Sequence, residues 1–249
     1  MTDLHTHILP SMDDGAPDVC VSGKLLNMER KQNVVKIALT SHFDCEMESV
    51  GTFLNRRKKA ITEFLENCDV WDFDIKLGCE VMFRPSLMAE ALHQLCIQDT
   101  KLMLVELPPT FRPPFFEEFL VYLSSLDIHP LIAHVERYRF VQDDPRILIE
   151  WIELGAYTQI NAHSLLHNDK GSALALKLVK WNLAHVIATD THSLHKRPPD
   201  LEEAIAVVKS RLGEEKAKEL LDTAEKLFEG RFPACPGFCM PKRLFGMWI

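Results

Sequence analysis

His5 and His7 stand two residues apart in the run Asp3-Leu4-His5-Thr6-His7. On an extended strand, residues two apart point to the same side, so the pair can grip one ion from one face. Imidazole is the commonest protein ligand for zinc-like and manganese-like ions. Alone, such a pair reads as two surface histidines, but here it has company. Asp13 and Asp14 follow in the next loop. Groups of the same chemistry then end apolar runs along the chain: Ser41-His42, Gly78-Cys79-Glu80, Val105-Glu106, Ala133-His134 and Thr189-Asp190-Thr191-His192. Singly, each reads as a satisfied core histidine, a helix cap or a surface pair. Jointly they read differently, because buried imidazoles and carboxylates without partners are costly and cations remove that cost. Mixed nitrogen and oxygen ligands suit manganese, iron or zinc, whereas Mg²⁺ prefers fewer imidazoles. Carboxylates shared between ions permit a cluster with ions roughly 3.5–4 Å apart, which makes hydroxide at neutral pH and holds phosphoryl oxygens. Arg137, in His-Val-Glu-Arg, and Arg197, five residues beyond His192, carry planar forks that match phosphate. The competing view of these two is surface arginines or a structural ion pair, with Glu136 for instance.

The elements that must position these groups alternate. Short apolar, β-branched runs at residues 4–6, 34–39, 73–79, 102–107, 130–133, 157–161 and 186–189 predict strands. Amphipathic segments at 19–30, 52–66, 114–126, 145–154, 170–181 and 214–228 predict helices. Near-continuous apolar strands between helices indicate a parallel α/β fold. Seven strands predict a barrel, incomplete or distorted, with a doubly wound open sheet as the alternative. In a barrel every strand's carboxyl end opens on one face, which holds the active site. His93, His163, His167, His185 and His195 lack this placement, although His163 and His195 fall near the mouth.

With 249 residues the chain fits one large domain or two small ones, and 47% hydrophobic content supports a sizeable core. A net charge of -8 argues against a broad nucleic-acid or membrane-surface footprint. The first residues lack the basic and apolar regions of a secretory leader, and no apolar run is long enough for a bilayer. The seven cysteines are odd in number and scattered, so a reduced, cytoplasmic protein is expected. Cys235 and Cys239 lie in a Pro- and Gly-containing tail, residues 232–249, expected to dock on the 1–231 unit, to stay flexible or to form a homo-oligomer contact.

These motifs resemble the PHP (polymerase and histidinol phosphatase) superfamily. Asp-Leu-His-Thr-His-Ile-Leu-Pro followed by Asp-Asp-Gly is most similar to its bacterial branch of manganese-dependent protein-tyrosine phosphatases of capsule and exopolysaccharide operons. The similarity continues through Gly78-Cys79-Glu80, His134-Val135-Glu136-Arg137, Ser164-Leu165-Leu166, Asp190-Thr191-His192 and Arg197-Pro198-Pro199. The resemblance implies a distorted (β/α)7 TIM-like barrel, in one domain, with up to three Mn²⁺ ions, Fe or Zn being substitutes. His5, His7, Glu80 and Asp190 would hold one ion, Glu80, Glu106 and His134 the second, and Asp14, His42 and His192 the third. Arg137 and Arg197 would bind the phosphate. The implied partner is an autophosphorylating bacterial tyrosine kinase. Ser11, Phe43-Asp44, Thr189 and Thr191 depart from the branch's usual residues without removing a ligand. No Cys-x5-Arg loop of the thiolate phosphatases occurs. Two rivals stand beside this expectation: a small-molecule phosphatase of the histidinol-phosphate type, and an idle metal-binding scaffold that docks a kinase.

Overall fold

The computed structural model describes residues 1–167, 170–244 and 247–248. Its strands are β1 (Thr2–Thr6), β2 (Lys36–Leu39), β3 (His42–Phe43), β4 (Asp74–Leu77), β5 (Glu80–Met82), β6 (Leu102–Glu106), β7 (His129–Ile132), β8 (Tyr157–Asn161), β9 (Val186–Ala188), β10 (Arg243–Leu244) and β11 (Met247–Trp248). Its α-helices are α1 (Val19–Lys31), α2 (Val50–Asn67), α3 (Phe116–Ser125), α4 (Arg139–Asp143), α5 (Ile147–Glu153), α6 (Ala162–Leu166), α7 (Lys170–Lys180), α8 (Leu201–Leu212) and α9 (Glu214–Phe228). Local chemistry sets several boundaries. Asp18 caps α1 by accepting from Val21 N–H, and Ser49 caps α2 by accepting from Thr52 N–H. Along α2 the buried residues are Val50, Phe53, Ala60 and Phe64, spaced so that one stripe faces the sheet.

All seven expected strands form, but the ladder differs from a closed barrel. The parallel strands make a three-stranded sheet, β1-β2-β4, and a six-stranded sheet, β3-β5-β6-β7-β8-β9, and neither closes on itself. The cause lies in two breaks. The strand expected over 34–39 stops at Leu39 and resumes as β3, and the one expected over 73–79 stops at Leu77 and resumes as β5. Between them the backbone steps sideways: Gly78 N–H donates to Leu39 O and Glu80 N–H to Thr40 O, both at 2.9 Å. Gly78 permits this because an added Cβ would lie 3.0 Å from Ile97 and 3.2 Å from Thr40. The two sheets still share an interior. Leu4, Ala38, Leu104, Leu131 and Val186 pack in one cluster with Leu227 and Phe228 of α9. A single parallel bridge, Thr6 to Thr191, joins β1 to the segment after β9.

The consequence for the site is directional. Parallel strands end together, so the residues at or just past their carboxyl ends meet. The opposite end is covered by the tail. Phe232 stacks on His129 with ring centroids 3.7 Å apart, and Tyr157 Oη donates to Pro233 O. Farther on, Cys239 N–H donates to Trp181 O at 2.9 Å, and Trp248 Nε1 donates to Asp143 O at 3.2 Å. Residues 245, 246 and 249 of the tail lie outside the described residues. Cys235 and Cys239 are both free thiols.

Candidate metal centre

His5 is the fourth residue of β1 and His7 follows its end, so their rings share one side, as strand geometry requires. Around them the nine residues expected as ligands converge. Three groups have donor atoms within 4.8 Å of one another: His5, His7, Glu80 and Asp190; His7, Asp14, His42 and His192; and His42, Glu80 and Glu106. The first coincides with the set implied by the resemblance. The second adds His7 to the expected Asp14, His42 and His192. The third contains His42, and His134 stands against its two carboxylates, Nε2 lying 3.0 Å from Glu80 Oε1 and 3.5 Å from Glu106 Oε1. Glu80 is the hub, with Oε2 3.0 Å from His42 Nδ1, 3.1 Å from His5 Nε2 and 3.2 Å from His7 Nε2. The inner groups are buried, whereas His42 is 36% and Asp14 64% exposed, so the centre opens to solvent on that side.

The donor set fits cations on chemical grounds. His5 Nε2 and His7 Nε2 face each other at 3.0 Å, a separation that needs a proton or a cation between them. His192 Nδ1 donates to Asp190 O at 2.7 Å, which leaves Nε2 as an acceptor. That Nε2 is buried without a hydrogen-bond partner among the described residues, 3.3 Å from Asp14 Oδ1. Two acceptors in contact call for a positive charge. Titration behaviour agrees. Burial resists charge on His134, yet Glu106 and Glu80 outweigh it and push its pKa up to about 10. Burial likewise opposes charge on His7, and Asp13 then Glu80 overcome it and raise its pKa. Burial would raise Asp190, but His5 and His134 hold it down at about 2. His192 is lowered to about 3 by burial and then by His7, which outweigh the Asp190 carboxylate beside it. The carboxylates thus favour positive charge at His7 and His134, charge that bound cations would also supply.

Both arginines reach the same place. Arg137 Nη1 donates to Asp190 Oδ2 at 3.0 Å, Arg197 Nη1 lies 3.6 Å from that oxygen, and Arg197 Nη2 donates to Asp14 Oδ2 at 3.1 Å. Glu136 is not the partner of Arg137. It is buried, and its Oε1 accepts from Ser164 Oγ at 2.7 Å and from Asn161 N–H at 3.2 Å. That clasp ties His-Val-Glu-Arg to Ser-Leu-Leu, two motifs distant in sequence. His134 and Asp190 occupy left-handed backbone at φ 31° and 53°, sparsely populated for residues with a Cβ and held here by the surrounding bonds.

A model of the family described as capsular polysaccharide synthesis, CpsB/CapC, matches residues 1–229. The chain belongs to the CpsB/CapC family. It is 30% identical to the tyrosine-protein phosphatase YwqE of Bacillus subtilis (strain 168) over 260 aligned positions, covering 100% of both chains. It is 29% identical to the tyrosine-protein phosphatase CpsB of Streptococcus pneumoniae, covering 91% of this chain and 98% of that one. A crystal structure from work on YwqE and CpsB, described as unique metal-dependent tyrosine phosphatases, superposes with a TM-score of 0.82 at 28% identity, over 96% of this chain and 100% of that chain. A lactonase from Listeria monocytogenes, at 12% identity and a TM-score of 0.52, shares the fold alone.

Sequence reasoning missed the residues that hold this family member's crown in place. Asp13 Oδ2 accepts from His7 Nδ1 and from His42 N–H, each at 2.9 Å. The Asp-Asp-Gly run was the available signal: a Cβ at Gly15 would collide with His7 O, so only glycine lets this loop press against β1. Gln159 and Asn161 also touch the crown, and a strand glutamine carries no signal of that kind. His163, set aside from sequence, pairs with Asp200 at 3.0 Å, and His185 lies at the other end of β8.

Proposed function

We propose that this protein is a metal-dependent protein-tyrosine phosphatase serving capsular or exopolysaccharide synthesis. Its substrate would be the phosphotyrosine of an autophosphorylating bacterial tyrosine kinase in the cytoplasm, a compartment that suits its seven free thiols. The observation that carries this reading is one crown of His5, His7, Asp14, His42, Glu80, Glu106, His134, Asp190 and His192 with Arg137 and Arg197 set against its carboxylates. Family membership and the names of its relatives point the same way. We read the two sheets as a distorted (β/α)7 barrel over residues 1–231, supported by their shared interior and the Thr6–Thr191 bridge, with 232–249 as a docked tail.

Bound divalent ions, Mn²⁺ foremost with Fe or Zn as substitutes, would supply a nucleophile at neutral pH and neutralise phosphoryl oxygens. The chain's own residues do the rest. His5, His7, Glu80 and Asp190 would hold one ion, Glu80, Glu106 and His134 a second, and Asp14, His42 and His192 a third. Arg137 and Arg197 swing from their carboxylate partners to the phosphoryl group and stabilise charge that grows toward the transition state. The exposure of His42 and Asp14 lets a phosphoester carried on a protein surface approach. The tyrosine leaving group has a pKa near 10, so it needs less proton assistance than an alkoxide.

The test is steady-state phosphate release by metal-stripped protein, with and without Mn²⁺, from a phosphotyrosine peptide, a phosphoserine peptide and histidinol phosphate. Mn²⁺-dependent release from phosphotyrosine alone is expected. Preference for histidinol phosphate would move the substrate, and bound ions without turnover would favour a docking scaffold.

A further inference from the structure

We infer that Gln159 is a positioning residue of the metal centre, which fixes the orientation and tautomer of His5 and, through Asn161, the rotamer of Asp190. The inference rests on the metal-centre reading above and extends it to a residue that contacts no ion.

Gln159 sits inside β8 and is fully buried, and each polar atom of its amide has a use. Its Oε1 lies 2.8 Å from His134 N, and a backbone N–H can only donate. That contact settles which end of the amide is oxygen. The same Oε1 lies 3.2 Å from His5 Nδ1, so Nδ1 carries a proton toward it and Nε2 is the nitrogen left to meet an ion. Nε2 is the atom that faces Glu80, Asp190 and His7. The other end of the amide continues the chain. Gln159 Nε2 donates to Asn161 Oδ1 at 2.8 Å, so Asn161 Nδ2 is its free donor, and it donates to Asp190 Oδ2 at 2.8 Å. Asp190 is thereby turned with Oδ1 toward His5 and Oδ2 toward Asn161 and Arg137. One amide thus orders three residues of the crown: His5 by its ring proton, His134 by its backbone, and Asp190 through Asn161. A ring nitrogen that donates to an oxygen acceptor is more basic at its other nitrogen and is held in one orientation, the general role of groups behind a metal's ligands.

The test is Mn²⁺ binding by the full-length chain, read from the electron paramagnetic resonance of free Mn²⁺. Gln159→Met keeps the side chain's length and removes its acceptor and donor; Gln159→Glu keeps the acceptor. Loss of an outer-shell partner typically weakens metal binding about 10–100-fold. We expect Gln159→Met to weaken the tightest Mn²⁺ site by about that factor, and Gln159→Glu, which keeps the acceptor for His5 and His134 but loses the donor to Asn161, to weaken it clearly less. Long-range ¹H–¹⁵N spectra of the metal-free chain should show His5 protonated at Nδ1 in wild type and lose that preference in Gln159→Met. Equal weakening in both variants, with His5 unchanged, would reduce Gln159 to packing and overturn the inference. Wild-type affinity in Gln159→Met would also overturn it while leaving the metal-centre reading intact. A wild-type chain that takes up no Mn²⁺ would overturn both.

Discussion

The two ends of β8 bury histidines equally and treat them oppositely. At the carboxyl end, His134 is 3% exposed and its pKa is pushed up to about 10; at the amino end, His185 is also 3% exposed and its pKa falls to about 4. Burial acts on both in the same direction. The difference is the neighbours. His134 faces Glu80 and Glu106, whereas His185 accepts from Thr158 N–H at 3.1 Å and feels only the remote positive charge of Lys216. Carboxylates crowd His134 at one end, and at the other burial acts on His185 without such a carboxylate partner among the described residues. Depth alone therefore does not decide whether a histidine is charged; the carboxylates around it do.

The contrast breaks most completely at Glu80, the carboxylate common to two of the three ligand groups. Glu80→Gln should lower Mn²⁺-dependent phosphotyrosine hydrolysis by more than about 1000-fold, beyond the 10–100-fold of an outer-shell loss, measured as kcat/KM on a phosphopeptide. Retention of even a tenth of the activity would argue against Glu80 as the shared ligand. Arg137→Ala comes next. Removing one charge-stabilising donor costs on the order of 100-fold in kcat, and Mn²⁺ stoichiometry should stay unchanged. Simultaneous loss of ions would instead make Arg137 a structural partner of Asp190. Asp13→Asn should weaken ion binding roughly 10–100-fold, because it disturbs the Nδ1 bond that orients His7. Calorimetric titration with Mn²⁺ would register it.

The amino end sharpens the comparison through pH. Burial pushes the His185 pKa down to about 4 in the folded chain from its ordinary 6.5, so the unfolded chain binds its proton first as pH falls. Its contribution is fully present above pH 6.5 and is lost as pH drops toward 4; the shift corresponds to about 3 kcal/mol. Urea unfolding of wild type and His185→Gln between pH 7 and 4 checks this: the variant's profile should be flatter over that interval. An identical slope would show that other groups dominate the acid limb. The smallest effect is expected in the tail. Cys239 is a free, exposed thiol, so Cys239→Ser should change stability by less than about 0.5 kcal/mol. A larger loss in thermal unfolding would mean the side chain does more than its backbone bond to Trp181.

The amino-acid sequence by itself determined the strands, the residues at their ends and thus the candidate ligands. An alternating, apolar strand pattern is local, and a parallel arrangement sends every carboxyl end to one face. His5, His7, His42, Glu80, Glu106, His134, Asp190 and His192 were legible for that reason, and Asp14 by its place in the loop after the first strand. Tertiary structure alone decided the rest. It divided the ladder into two sheets at Thr40-Ser41 and Gly78-Cys79, because a sideways step depends on contacts with Ile97 that no local pattern encodes. It also chose Asp13, Gln159, Asn161 and the Glu136–Ser164 clasp as supports. A buried amide bonds to whatever atoms folding brings within about 3 Å, and that proximity exists only once the strands are side by side.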